Sequence, residues 1–165
     1  MIETYSDFFD EKLFSAIQSS FRVESRVYQS TEEWNKNCDT QFMSVPIQCT
    51  RLLETNARLA NEISDYVKSE LCIEQKVEPV LYSYNPGSGI AWHDDSHLHA
   101  TLTCYINDEW DKSNGGLFLY EDNGIRGICP KRNLAVYQTE ATPHAVSRLT
   151  DNSPNRLVLH CFVYK

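Results

Sequence analysis

Four residues stand out for the chemistry their types and spacing allow: His93, Asp95, His144 and Arg156. His93 and Asp95 close the stretch 82–95, which reads as a strand, a Pro-Gly-Ser-Gly turn and a second strand. In an extended strand residues i and i+2 share a face, so this imidazole and carboxylate stand side by side as two legs of a metal site. Asp94 is the rival carboxylate, and alternation turns it to the other face. A lone H-x-D pair arises often by chance, so its meaning depends on what else the chain supplies. His144 follows Pro143 and opens the apolar run 145–149. Two histidines and one carboxylate on a β scaffold, with coordination positions left open, are the set expected for non-haem Fe(II) oxygen chemistry. Arg156 begins the last long apolar strand. A guanidinium there needs a carboxylate partner, which its planar fork can hold at two points. That partner is either a protein acid or a diacid ligand.

The elements that must position these residues follow from the pattern of the chain. Strands are expected over 77–84, 90–95, 100–107, 116–121, 125–129, 133–138, 144–150 and 156–164. Turn signals separate them at Pro86-Gly87, Asn114-Gly115-Gly116, Asn123-Gly124, Pro130, Pro143 and 152–154. Eight short strands after a helical first third suggest a mostly β fold with supporting helices, a double-sheet jelly roll. In the first third, 2–5 could be a short strand. Ser6 or Asp7 would cap a helix running to about Phe21, with Phe9, Leu13, Phe14 and Ile17 on one face. A short helix is expected around Trp34 and a strand over 42–53. A helix from Asn56 to Cys72 has Leu59, Ile63, Val67 and Leu71 at helical spacing. We expect one domain over 1–165, with 1–74 as helical support and 75–165 as the jelly-roll core.

Composition narrows the class. The 165 residues are enough for one substantial core, and a 41% hydrophobic, 12% aromatic content suits a globular fold. No apolar run approaches the roughly 18–20 residues of a membrane helix. The N-terminus lacks the layout of a secretory signal. Fifteen basic against 23 acidic residues, a net charge of −8, argue against a nucleic-acid partner. The six cysteines form no C-x-x-C pair. Reduced thiols and a cytoplasmic location are expected, with Cys104 and Cys161 as small core residues.

The order His93-x-Asp95, His144, Arg156 resembles the 2-oxoglutarate- and Fe(II)-dependent oxygenases, and within them the prolyl 4-hydroxylase type that includes the oxygen-sensing prolyl hydroxylases. The likeness runs from about Tyr82 to Tyr164. It rests on the tyrosine, glycine turn and H-x-D strand of 84–95, on Leu102-Thr-Cys-Tyr-Ile-Asn107 followed by Trp110, on Asn114-Gly-Gly-Leu-Phe-Leu119, and on Pro143-His-Ala-Val146. The resemblance implies that His93, Asp95 and His144 bind iron. It implies that Arg156 holds the distal carboxylate of 2-oxoglutarate, with the Tyr105 hydroxyl as second donor. Tyr84 would line the co-substrate or substrate pocket, a place Tyr82 on the same strand face could also fill. The implied reaction uses O2 to decarboxylate 2-oxoglutarate to succinate and hydroxylate a C–H bond, with ascorbate as an auxiliary reductant. The implied substrate is a proline in a protein or peptide. The spacing from His144 to Arg156 is longer than in many relatives and fits the turn at 151–154, where insertion is cheap.

Other candidates have plainer readings. His97 and His99 share parity with His93, but a bend is expected after Asp95, leaving them at the rim or surface. His160 reads as an interior or pocket-lining histidine, Trp92 as packing, and Gly115-Gly116 as turn chemistry. Two other functions remain open at this level. One is a hydroxylase of a free amino acid or other small metabolite. The other is a cupin-like metal-binding module without turnover, which would have no use for an arginine anchor beside the metal.

Overall fold

The computed structural model describes residues 1–23, 27–29, 45–139 and 141–165. Eleven strands and three α-helices follow in the order β1 (Ile2–Tyr5), α1 (Glu11–Val23), β2 (Val27–Gln29), β3 (Ile47–Arg51), α2 (Leu52–Thr55), α3 (Ala57–Leu71), β4 (Val77–Tyr84), β5 (Ile90–His93), β6 (Leu98–Tyr105), β7 (Phe118–Glu121), β8 (Ile125–Ile128), β9 (Ala135–Thr139), β10 (His144–Val146) and β11 (Arg156–Tyr164). They form two antiparallel sheets. The larger has the order β1-β9-β6-β11-β4-β3-β2 and the smaller β5-β10-β7-β8. This is the double-stranded β-helix expected from the strand spacing.

Each face of the large sheet has its own core. Toward the helices lie Leu81, Leu102, Cys104, Leu159 and Cys161, packed on Phe14, Ile17, Ile63 and Val67. Toward the small sheet lie Val80, Tyr82, Tyr84, Tyr105 and Val158, packed on Ile90, Phe118 and Val146. β4 is therefore buried along all eight residues. A strand covered on both faces reads as a continuous apolar run, and that is how β4 and β11 announce themselves. Each fully buried Phe14, Ile17 or Ile63 side chain contributes about 1.5–3 kcal/mol of transfer free energy.

The first third supplies strands as well as helices. β1 pairs with β9, and β2 and β3 extend the other edge of the large sheet beyond β4. The expected strand over 42–53 is realised as Ile47–Arg51 before the chain turns into α2; its first residues, 42–44, and the helix expected around Trp34 lie outside the described residues. α3 matches its expected span, with the Asn56 side chain accepting from Leu59 N at 3.2 Å.

α1 begins three to four residues later than Ser6 or Asp7 would place it. Its first turn is capped by Asp10, whose Oδ1 accepts from Leu13 N at 2.9 Å. A tertiary contact outcompetes the local capping signal. Asn133, itself at φ +54°, accepts Phe8 N on its backbone oxygen and Phe9 N on Oδ1, and donates Nδ2 to Phe9 O at 2.7 Å. Residues 8 and 9 are thereby held outside the helix, after a turn at 6–7. Replacing Asn133 with alanine leaves two buried backbone groups of Phe9 unpaired and demands a left-handed alanine. Asn133→Ala should cost about 2–4 kcal/mol, read as a lowered denaturation midpoint with an unchanged slope.

Candidate active site

The cavity between the sheets is lined by His93, Asp95, His144, Tyr82, Tyr84, Thr103, Arg156, His160 and a set of apolar side chains that includes Phe118, Val158 and Phe162. Its polar groups fall into two clusters, one from each sheet.

The first cluster comes from the small sheet. His93 on β5 and His144 on β10 are register partners across an antiparallel pair, so the sheet itself brings their rings to 4.2 Å between centroids. β5 ends at His93, one difference from the sequence expectation of a strand through Asp95. Asp95 reaches the site through the turn that follows, closed by Leu98 N donating to Asp95 O at 2.8 Å. In the same turn Asp94 Oδ1 accepts from Ser96 N at 3.1 Å, and those Ser96 contacts hold the exposed Asp94 carboxyl below its ordinary range. The choice of Asp95 over Asp94 thus stands on a turn rather than on strand alternation. His97 and His99 are exposed beyond the bend.

One donor atom from each of His93, Asp95 and His144 lies within 4.8 Å of the others. His144 Nε2 is 3.6 Å from Asp95 Oδ2. Both imidazoles are oriented by the carbonyl two residues back: His93 Nδ1 meets Ala91 O at 2.9 Å, and His144 Nδ1 meets Thr142 O at 3.0 Å. A proton committed to Nδ1 leaves Nε2 as the metal donor, with the carbonyl fixing the ring plane. Burial, then the neighbouring His93, pushes the His144 pKa down, so the ring is neutral as a ligand must be. Gln138 adds a support that the sequence did not reveal. Its Nε2 donates to Thr142 O at 2.9 Å, steadying the carbonyl that meets His144 Nδ1. Phe118 stacks on the outer face of His144 at 5.4 Å.

The second cluster belongs to the large sheet. Arg156 is 1% exposed, yet none of its three guanidinium nitrogens has a hydrogen-bond partner among the described residues; the Tyr105 hydroxyl is likewise buried and unpartnered. The guanidinium lies 4.8 Å from the Tyr84 ring and 5.1 Å from the Tyr105 ring. Burial raises the pKa of both tyrosines, against the opposing pull of Arg156, so both phenols are neutral donors. The flanking backbone is locked: Asn107 Oδ1 accepts Leu157 N at 2.7 Å, and Asn107 Nδ2 donates to Asn155 O at 2.9 Å. Gly116 has a role beyond turn chemistry. A Cβ there would stand 2.9 Å from Arg156 Cδ, so the glycine leaves room for the arginine stem. Tyr82 and Tyr84 both line the cavity, Tyr84 against Arg156 and Tyr82 beside His160.

The site residues proposed from sequence are therefore gathered in one cavity wall or against it. The donor set of two imidazoles and one carboxylate suits Fe(II) with positions left free. A buried guanidinium and phenol without protein partners suit an incoming carboxylate. Fe(II) and 2-oxoglutarate fit the residues present.

The 2OG-Fe(II) oxygenase superfamily model matches residues 79–164, more than half of the chain, and the chain belongs to that family. It is a 2-oxoglutarate-dependent dioxygenase. No curated protein sequence matches it. Among solved structures it is similar to a Pseudomonas putida prolyl-4-hydroxylase at 15% identity and TM-score 0.70, covering 99% of this chain and 92% of that one. It is similar to a Trichoplax adhaerens prolyl hydroxylase in complex with a hypoxia-inducible-factor peptide fragment at 13% identity and TM-score 0.75, covering 99% and 83%. It is also similar to HygX from Streptomyces hygroscopicus with nickel, 2-oxoglutarate and hygromycin B, at 10% identity and TM-score 0.69, covering 99% and 83%.

Removing one donor of a three-residue site should cost at least 10- to 100-fold in metal affinity. Fe(II) titration under anaerobic conditions should show that loss for His93→Ala, Asp95→Ala and His144→Ala, and none for Asp94→Ala, His97→Ala or His99→Ala. Full affinity in the Asp95→Ala protein would transfer the carboxylate role to Asp94.

Proposed function

We propose that this protein hydroxylates prolyl residues in a polypeptide, with iron held by His93, Asp95 and His144 and the distal carboxylate of 2-oxoglutarate held by Arg156 and Tyr105. The observation that carries the co-substrate assignment is the orphaned guanidinium of Arg156, buried beside a metal-binding triad and facing a neutral phenol hydroxyl. A buried charge without a partner is too costly to be a packing device. A cupin-like binding module would have no such anchor.

Iron and 2-oxoglutarate together supply oxygen activation, so that 2-oxoglutarate, O2 and a C–H bond become succinate, CO2 and C–OH. The chain's own residues do the positioning. Arg156 and Tyr105 fix one end of the diacid by charge-assisted hydrogen bonds. Tyr84 lies against the guanidinium, and Trp110, its Nε1 pinned to Gly115 O at 3.0 Å, stands beside Gly116 near the arginine stem. The carbonyls of Ala91 and Thr142 keep both imidazoles aimed at the metal.

Two features favour a polypeptide over a free amino acid. Among the described residues lining the cavity, Arg156 is the one permanent cation and Asp95 the one carboxylate. Both are committed in this reading, leaving no pair to receive an ammonium and a carboxylate. The likeness to a prolyl hydroxylase that holds a peptide fragment points the same way. The likeness to HygX, solved with hygromycin B, supports the second reading, a small-molecule substrate.

Mass spectrometry of a host lysate incubated with the protein, Fe(II), 2-oxoglutarate and ascorbate should show single oxygen additions on specific prolines, absent with His144→Ala. Turnover of a free metabolite without any modified polypeptide would favour the second reading. Arg156→Ala should raise the apparent constant for 2-oxoglutarate roughly 30-fold or more, since losing a charge-assisted pair costs about 2–5 kcal/mol. Arg156→Lys should recover only part of that, an ammonium lacking the planar fork. An unchanged constant with a lowered melting temperature would make Arg156 a structural residue.

A further inference from the structure

His160 lines the cavity, yet neither metal binding nor the arginine anchor assigns it a task. It sits on β11 four residues beyond Arg156 and on the same face, directly opposite Thr103 on β6. Its Nδ1 is 2.9 Å from Thr103 Oγ1. The ring is wedged edge-on against Phe162 at 4.5 Å and Tyr82 at 6.2 Å. Nε2 has no hydrogen-bond partner among the described residues, and the half-buried ring lines the cavity.

We propose that His160 is a positioning residue for the co-substrate, offering Nε2 to the metal-facing end of the 2-oxo acid whose far carboxylate Arg156 binds. The inference rests on the 2-oxoglutarate reading of the site. Four residues of strand span about 13 Å between the Cα atoms of Arg156 and His160. A five-carbon diacid has four C–C bonds of about 1.5 Å, and hydrogen bonds of about 3 Å at each end bring its reach close to that span. Such a molecule would lie along β11 over Val158, the cavity residue between the two.

The surroundings also set the chemistry of the contact. Burial, partly opposed by Asp95, pushes the His160 pKa down to about 4, so the ring is neutral near pH 7. A threonine hydroxyl can donate as well as accept. With Thr103 donating to Nδ1, the imidazole proton resides on Nε2, the tautomer that donates to a carboxylate or keto oxygen. Val158 and Phe162, on either side of it along β11, offer no substitute donor at that end.

The test measures 2-oxoglutarate binding without turnover, by anaerobic calorimetry on Mn(II)-loaded protein. His160→Leu should raise Kd roughly 10-fold or more, the size of a hydrogen bond to a charged group. His160→Gln places an amide nitrogen near the position of Nε2 and should stay within about threefold of the parent. Thr103→Val frees the tautomer and should weaken binding in the same direction, which keeps the test alive if His160→Leu does not fold. Mn(II) affinity should be unchanged in all three. Parent-like Kd in His160→Leu or Thr103→Val, or equal weakening in His160→Gln and His160→Leu, overturns the role while the site reading stands, provided Arg156→Ala loses binding. No 2-oxoglutarate binding by the parent protein overturns both.

Discussion

A guanidinium sealed between two sheets, with no acid to pair with among the described residues, is the constraint around which this fold is arranged. Removing such a group from water costs several kcal/mol unless partners compensate. The protein supplies only partial compensation: the faces of Tyr84 and Tyr105 lie within cation–π distance. Everything nearby holds Arg156 in that position. Asn107 ties down the residues on either side of it, and Gly116 clears space for its stem. An unsatisfied group kept this rigid is set up for a partner that arrives from outside.

The two sheets divide the labour. The proposed metal donors sit on or just after strands of the small sheet, and the proposed anion anchor sits on three neighbouring strands of the large one. The spacing between Arg156 and the histidine pair is therefore set by sheet packing, about 10 Å face to face. Helices α1 and α3 contribute indirectly. By burying the outer face of the large sheet they stiffen the strands that carry Arg156, Tyr84 and Tyr105.

Much of this was legible in the sequence, for identifiable reasons. β4 and β11, apolar on both faces, have the limits that their composition suggests. His93, Asp95 and His144 could be picked out because metal chemistry restricts residue type and order. The route to Asp95 was not legible, since a turn held by backbone bonds replaces the last residues of the expected strand. The start of α1 was misplaced because Asn133, more than 120 residues away, pulls residues 8 and 9 out of the helix. Gln138 and Thr103 carried no local signal at all. Their importance depends on which residue faces them across or beside a strand, and cross-strand register is set by the whole sheet. Gly116 looked like half of a turn, because the arginine that needs its missing Cβ is forty residues downstream.

The pairing of His93 with His144 has a mechanical side. β5 is an edge strand joined to its sheet at just two register positions, broken by an irregularity between them. An ion gripping a residue on β5, another in the following turn and a third on β10 is a cross-link between segments far apart in sequence. Like a clasp, it ties a loosely sewn hem to the fabric behind it, and metal binding becomes part of the strand's anchorage. Loss of iron would then loosen the rim of the cavity itself, so that the emptied enzyme would be more open to proteases at the very segment that holds the reaction centre.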